Sequence, residues 1–201
     1  MNALPTAAAL LLAATLATEP TQSQMPSRVS QDVNAALSRH ESRAIRDASA
    51  ATAFAATAAQ DGMTEVALGV LALRRSSNWQ VRLFAQRMVE DHGRAIQELL
   101  ALVERKGLIL PTELDAKYAA MVRSLDRKSN AAFDKAYVEL VGKSHAQVIA
   151  WFESASRSSD SDVAGFAHKT LATLQEHKEL AEQLHASMGI GTASARRLDA
   201  R

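Results

Sequence analysis

The chain of 201 residues contains no cysteine, which removes disulfides, thiolate zinc sites, iron–sulfur clusters and cysteine nucleophiles from consideration. Aromatic residues make up only 4%, and there are just 8 glycines and 4 prolines, a poor supply for a sheet protein with its tight turns. Neither charge sign dominates, with 23 basic against 22 acidic side chains, so the basic stripe of a nucleic-acid binder is absent. Long hydrophobic runs are missing as well. The most apolar stretch, Ala3 to Ala17, is shorter than the roughly 20 residues needed to span a bilayer, and no later segment approaches that length. What remains is alanine at about one residue in five, a composition suited to helices. Six histidines and the carboxylates are left to carry any chemistry.

The first 19 residues read as a secretory signal peptide. Leu10-Leu11-Leu12 form a short apolar region and Thr15-Leu16-Ala17 a small-x-small cleavage pattern, although only the amino terminus supplies positive charge ahead of them. This predicts a periplasmic or secreted protein whose mature chain has no transmembrane segment. Residues 20–30 read as a polar linker, and residues 32–49 as helix-permissive but weakly amphipathic, so that 20–49 forms a linker and an N-terminal helical extension. A domain over residues 50–188 follows. Its first helix is expected from Ala50 to Arg75. Ser76-Ser77-Asn78 turns into a second helix, Trp79 to Lys106, closed by Gly107. Pro111 opens a short connecting helix to Leu125, Ser129 or Asn130 caps a third long helix to Arg157, and a fourth ends near Met188-Gly189. Residues 189–201 read as a disordered tail. Long helices with short turns predict an all-α, antiparallel four-helix bundle with a short connecting helix in its middle.

A helix advances about 100° per residue, which places each side chain on a face. His92 falls amid Val81, Ala85, Met88, Leu99 and Val103; His145 amid Val138, Val141, Ile149 and Phe152; His177 amid Val163, Phe166, Leu174 and Leu184. On the first helix Glu65 shares a direction with Phe54, Ala58, Leu68 and Ala72. Each long helix thus puts one ionisable group where a core leucine belongs. Counted from the two turns at 1.5 Å per residue, the four lie in one layer about 10 Å thick.

A carboxylate and three imidazoles converging in an apolar core suit a divalent metal such as zinc, iron or copper. Glu65, His92, His145 and His177 are the expected ligands, with Asp91, Asp134, Tyr137, Glu153 and Glu176 as supporting groups around them. The competing reading is a metal-free polar network that fixes the register of the bundle. A di-iron carboxylate centre needs Glu three residues before a core histidine on two helices. Those positions hold Val89, Gly142 and Leu174, and the Glu182–His185 pair faces away. His40, His168 and His185 fall off the core faces, and Trp79 and Trp151 are placed at the core edges.

The segments Gly62-Met63-Thr64-Glu65-Val66-Ala67-Leu68-Gly69 and Phe84-Ala85-Gln86-Arg87-Met88-Val89-Glu90-Asp91-His92 resemble a bacterial domain-of-unknown-function family. Its members are grouped with the ferritin-like bundles and often labelled "predicted outer membrane protein". Leu110 to Asp115, Phe133-Asp134 with Tyr137 and His145, and Thr170-Leu171 through Glu176-His177 extend the likeness over residues 50 to 187. Ala172 stands where the family commonly has proline, and Ser144 where it has an acidic residue. The resemblance implies an exported ferritin-like domain of unassigned role, with family motif positions on Glu65, Asp91, His92, Asp134, Tyr137, His145 and His177. Two functions are compatible with these readings. One is a metal-handling or stress-related bundle, with an open coordination position that leaves enzymatic activity undecided. The other is a non-catalytic envelope protein whose surfaces bind a partner. The oligomeric state is not encoded in these patterns.

Overall fold

The computed structural model describes residues 27–198, and the signal-peptide expectation over residues 1–19 lies outside them. Every element among the described residues is helical: α1 (Ser27–Arg75), α2 (Trp79–Lys106), α3 (Ala116–Asp126), α4 (Asn130–Ala155) and α5 (Ser161–Leu198). The chain divides into two compact units, Met1–Ser42 and Arg43–Arg201. The described part of the first is the start of α1, with exposed side chains over residues 35–42. The second contains the bundle.

The two ends of α2 and the start of α4 fall as expected, although Ser129 precedes α4 without a side-chain cap hydrogen bond. Asn78 Oδ1 accepts the Gln80 N–H at 2.9 Å to start α2. Gly107, at φ 63°, ends that helix in the left-handed region that favours glycine. Asp160 caps α5 by accepting the Asp162 and Val163 N–H groups at 3.1 and 3.3 Å. Elsewhere the ends move. α1 begins at Ser27, inside the stretch 20–30 read as a linker, and runs on because residues 27–49 hold no glycine or proline to interrupt it. α5 runs to Leu198, past the expected end at Gly189; a helical glycine costs only about 1 kcal/mol, and Ala193, Ala195, Arg196 and Arg197 favour continuation. The connecting helix starts at Ala116 and not at Pro111. Asp115 is its cap, accepting from Lys117 and Tyr118 N–H. Buried Gln60 on α1 holds the preceding loop, donating to Glu113 O at 2.8 Å and accepting from Asp115 N at 3.0 Å.

Two apolar clusters fill the bundle. One joins Leu68, Leu71 and Ala72 of α1 to Val81, Phe84 and Met88 of α2, Phe133, Tyr137 and Val141 of α4, and Ala181 and Leu184 of α5. The other joins Phe54 and Ala58 of α1 to Leu99 and Val103 of α2, Phe152 of α4, and Phe166 and Leu174 of α5. The first cluster takes later residues of α1 and α5 and early ones of α2 and α4, and the second takes the reverse, so α1 and α5 run one way and α2 and α4 the other. The strict alternation expected of an antiparallel bundle fails between α2 and α4, because the long connection through α3 carries the chain back along the bundle before α4 begins. A Cβ on Gly69 would sit 2.7 Å from Val89 Cγ2 and 3.0 Å from Ala85 O, so glycine is what lets α1 and α2 approach there. Trp151 packs on Phe54 at 4.7 Å between ring centroids. Trp79 is 70% exposed and does not cover the core edge. No described helix is long and apolar enough to cross a membrane.

Candidate metal centre

Between the two apolar clusters lies a polar layer. Glu65, His92, His145 and His177 are all buried, at 1%, 5%, 1% and 0% exposure. On each helix the polar residue falls in the gap between the clusters: Glu65 before Leu68, His92 between Met88 and Leu99, His145 between Val141 and Phe152, His177 between Leu174 and Ala181. Helical periodicity alone therefore delivers three imidazoles from α2, α4 and α5 to one place. One ring nitrogen from each lies within 4.8 Å of the other two.

The hydrogen bonds assign the tautomers of two rings. His145 Nδ1 donates to Val141 O at 3.0 Å, so its Nε2 is the bare nitrogen. His177 Nε2 donates to Asp91 Oδ2 at 2.8 Å, so its Nδ1 is bare. These two lone pairs face each other at 3.3 Å, and His92 Nε2 stands 3.4 Å from His145 Nε2. Two facing lone pairs repel unless a cation lies between them. Ligand nitrogens at the usual 2.0–2.1 Å from a tetrahedral metal are separated by about 3.3–3.4 Å, which is the spacing of both pairs. Burial keeps all three rings neutral. It depresses His92 well below the ordinary range, with His145 and His177 adding repulsion. His145 is held at about 3, burial again leading. His177 is lowered by burial, with the Asp91 hydrogen bond working the other way. Neutral imidazole is the ligating form.

The carboxylates divide by position. Asp91, 10% exposed as a side chain, accepts from His177 and Arg87 through Oδ2 and from Arg94 through Oδ1. Burial alone would raise its carboxyl, but the His177 hydrogen bond and the arginine charges hold it below its usual value. Glu65 does not converge with the histidines. Its Oε1 is 3.7 Å from His145 Nδ1, on the opposite edge of that ring from the nitrogen facing His92 and His177. Burial, then the Asp61 charge, raise the Glu65 carboxyl well above its ordinary value, with the Ser144 side chain opposing. Neither Glu65 oxygen, however, meets a partner at hydrogen-bond geometry. With both groups neutral, the Glu65–His145 approach is not an ion pair.

The remaining expected supports make no hydrogen bond to the three rings. Asp134 Oδ1 and Tyr137 Oη are buried without a hydrogen-bond partner, and burial followed by the Glu65 charge raises the Tyr137 phenol. Glu153 is exposed and stays outside the layer. Glu176 is exposed too and reaches the centre only through Arg87, which it meets at 2.7 Å. Sequence reasoning missed Asp61. It stands one turn before Glu65 on α1 and shares a cavity with His92, and burial lifts its carboxyl to about 7. The signal was available as an acidic pair at i and i+4 on one helix face.

DUF4142, a domain of unknown function, matches residues 34–184. A solved structure titled "Crystal structure of DUF305 fragment from Deinococcus radiodurans" aligns with a TM-score of 0.62 at 16% identity, covering 68% of this chain and 95% of that one. At that identity the likeness concerns the fold alone. No curated protein matches.

Proposed function

The chain belongs to the DUF4142 family, and we propose that its bundle is a metal-binding module that holds one divalent ion between His92, His145 and His177. The observation that carries this reading is the pair of fixed tautomers. Val141 O and Asp91 tie up the outer nitrogens of His145 and His177, and this aims their lone pairs at one point. A ligand histidine characteristically donates its other N–H to a carboxylate or a backbone carbonyl. Three neutral imidazoles suit zinc, iron or copper and leave a fourth position for water or another small ligand. Asp91 supplies compensating charge behind His177. Glu65 stands behind His145, where an incoming cation favours its ionised form.

In this reading residues 1–19 direct export, so the site works in metal handling or stress chemistry outside the cytoplasm. Recovery of a chain shortened at its N-terminus from the periplasmic fraction tests that part. Melting curves with chelator and with added zinc test the metal. Binding to the native state at a hundredfold excess over Kd stabilises by about 2.7 kcal/mol. A melt indifferent to zinc and chelator favours the alternative, an envelope structural protein whose histidine layer only fixes the bundle. The approach of His92 Nε2 to His145 Nε2 at 3.4 Å also suits that alternative, with His92 donating.

A further inference from the structure

Two of the three imidazoles have their outer nitrogen tied to a fixed acceptor, His145 by Val141 O and His177 by Asp91. His92 is the exception. Its Nε2 faces His145, and no described residue hydrogen-bonds its Nδ1. A ring free to turn about its bonds makes a poor ligand, because the lone pair must be held in place for the metal. Beside His92 lies a cavity of about 20 Å³, room for a single water molecule. Its lining is apolar apart from His92, Asp61 and Thr170, and the Thr170 hydroxyl is already engaged, donating to Phe166 O at 2.8 Å. The helices are close here: a Cβ on Gly62, next to Asp61, would stand 3.1 Å from Ile96 Cγ1, one turn beyond His92.

We infer that Asp61 is the positioning carboxylate for His92, acting through one water in this cavity. His92 Nδ1–H donates to the water, the water donates to the Asp61 carboxylate, and the Nε2 lone pair is held toward the other two rings. Each of the three imidazoles then has its own acceptor: a backbone carbonyl on α4, a carboxylate on α2, and a carboxylate on α1 through water. α1 brings no ligand of its own to the converging nitrogens, and this relay couples it to the centre.

The inference rests on the three-histidine reading for its affinity measurement, and has a second measurement that does not. Cobalt(II) serves as the probe, with affinity measured by chelator competition on wild type, Asp61→Ala and Asp61→Asn. Loss of such an outer partner costs about 10–100-fold in affinity, so Asp61→Ala weakens cobalt by that factor. Asp61→Asn keeps an acceptor of the same shape and stays close to wild type. In the zinc-loaded protein the His92 Nδ1–H signal is protected from exchange in wild type and Asp61→Asn, and lost in Asp61→Ala. Equal cobalt affinity in wild type and Asp61→Ala, or an unchanged Nδ1–H signal, overturns the inference. Should wild type take up no cobalt, the three-histidine reading fails, and a high-resolution crystal structure of the metal-free protein decides the relay. A water within hydrogen-bond reach of both Asp61 and His92 Nδ1 supports it; a cavity without that water overturns it.

Discussion

Replacing Asp61 by asparagine flattens one part of the pH dependence of stability in the metal-free protein. Burial raises the Asp61 carboxyl from 3.8 to about 7, so between those values the folded protein keeps a proton that the unfolded chain has released. Stability from this group is complete below 3.8 and is lost as pH rises through 7. At 1.36 kcal/mol per pH unit the whole shift amounts to roughly 4 kcal/mol, of which somewhat more than half falls between pH 5 and pH 8. Asp61 is only half-buried by exposure and lines a cavity, so solvent screening makes these figures a ceiling. The three histidines act in the opposite sense. Their depressed values, His145 at about 3, add stability above 6.5 that is lost as pH falls. That contribution is common to both proteins and cancels in their difference, whereas Glu65, which the Asp61 charge helps to raise, is eased in Asp61→Asn and adds in the same direction. Urea denaturation in chelator at several pH values reads the effect. The advantage of Asp61→Asn over wild type grows by up to about 2–3 kcal/mol from pH 5 to pH 8 and levels off above pH 7. A difference that stays constant over that range refutes the reasoning.

Three further outcomes follow from other parts of the structure. Asp91→Ala frees the His177 ring and lowers zinc affinity by about 10–100-fold, measured by chelator competition; unchanged affinity removes Asp91 from the centre. Gly69→Ala forces a methyl against Val89 and the Ala85 carbonyl and destabilises the bundle by about 1–3 kcal/mol, read as a lower urea midpoint. Gln60→Ala leaves Glu113 O and Asp115 N without their partner and costs about 1–3 kcal/mol, with faster amide exchange at Asp115 than in wild type.

Much of this architecture is written in local chemistry. α2 could be placed from sequence because Asn78 and Gly107 carry its two ends. The outer ends of α1 and α5 could not, because alanine-rich stretches without a stop signal leave the boundary open. The three histidines were legible because each replaces a core leucine at a similar height along its helix. Glu65 was placed at the right height too, yet helical arithmetic cannot say which edge of an imidazole a neighbour approaches, and it meets the Nδ1 edge of His145. Asp61 was missed because, one turn from Glu65, it lies about 40° off that residue's direction. Only the close packing of α1 on α2 brings it beside His92. The Gln60 clamp on the loop before α3 joins residues 53 and 55 positions apart, a link that no local pattern encodes.

The central claim, that His92, His145 and His177 hold a metal, is tested most directly by elemental analysis of protein purified without any metal-affinity step. One divalent ion per chain is expected in wild type, and its loss in His145→Ala and His177→Ala. Sub-stoichiometric metal that both alanine variants leave unchanged would contradict the account.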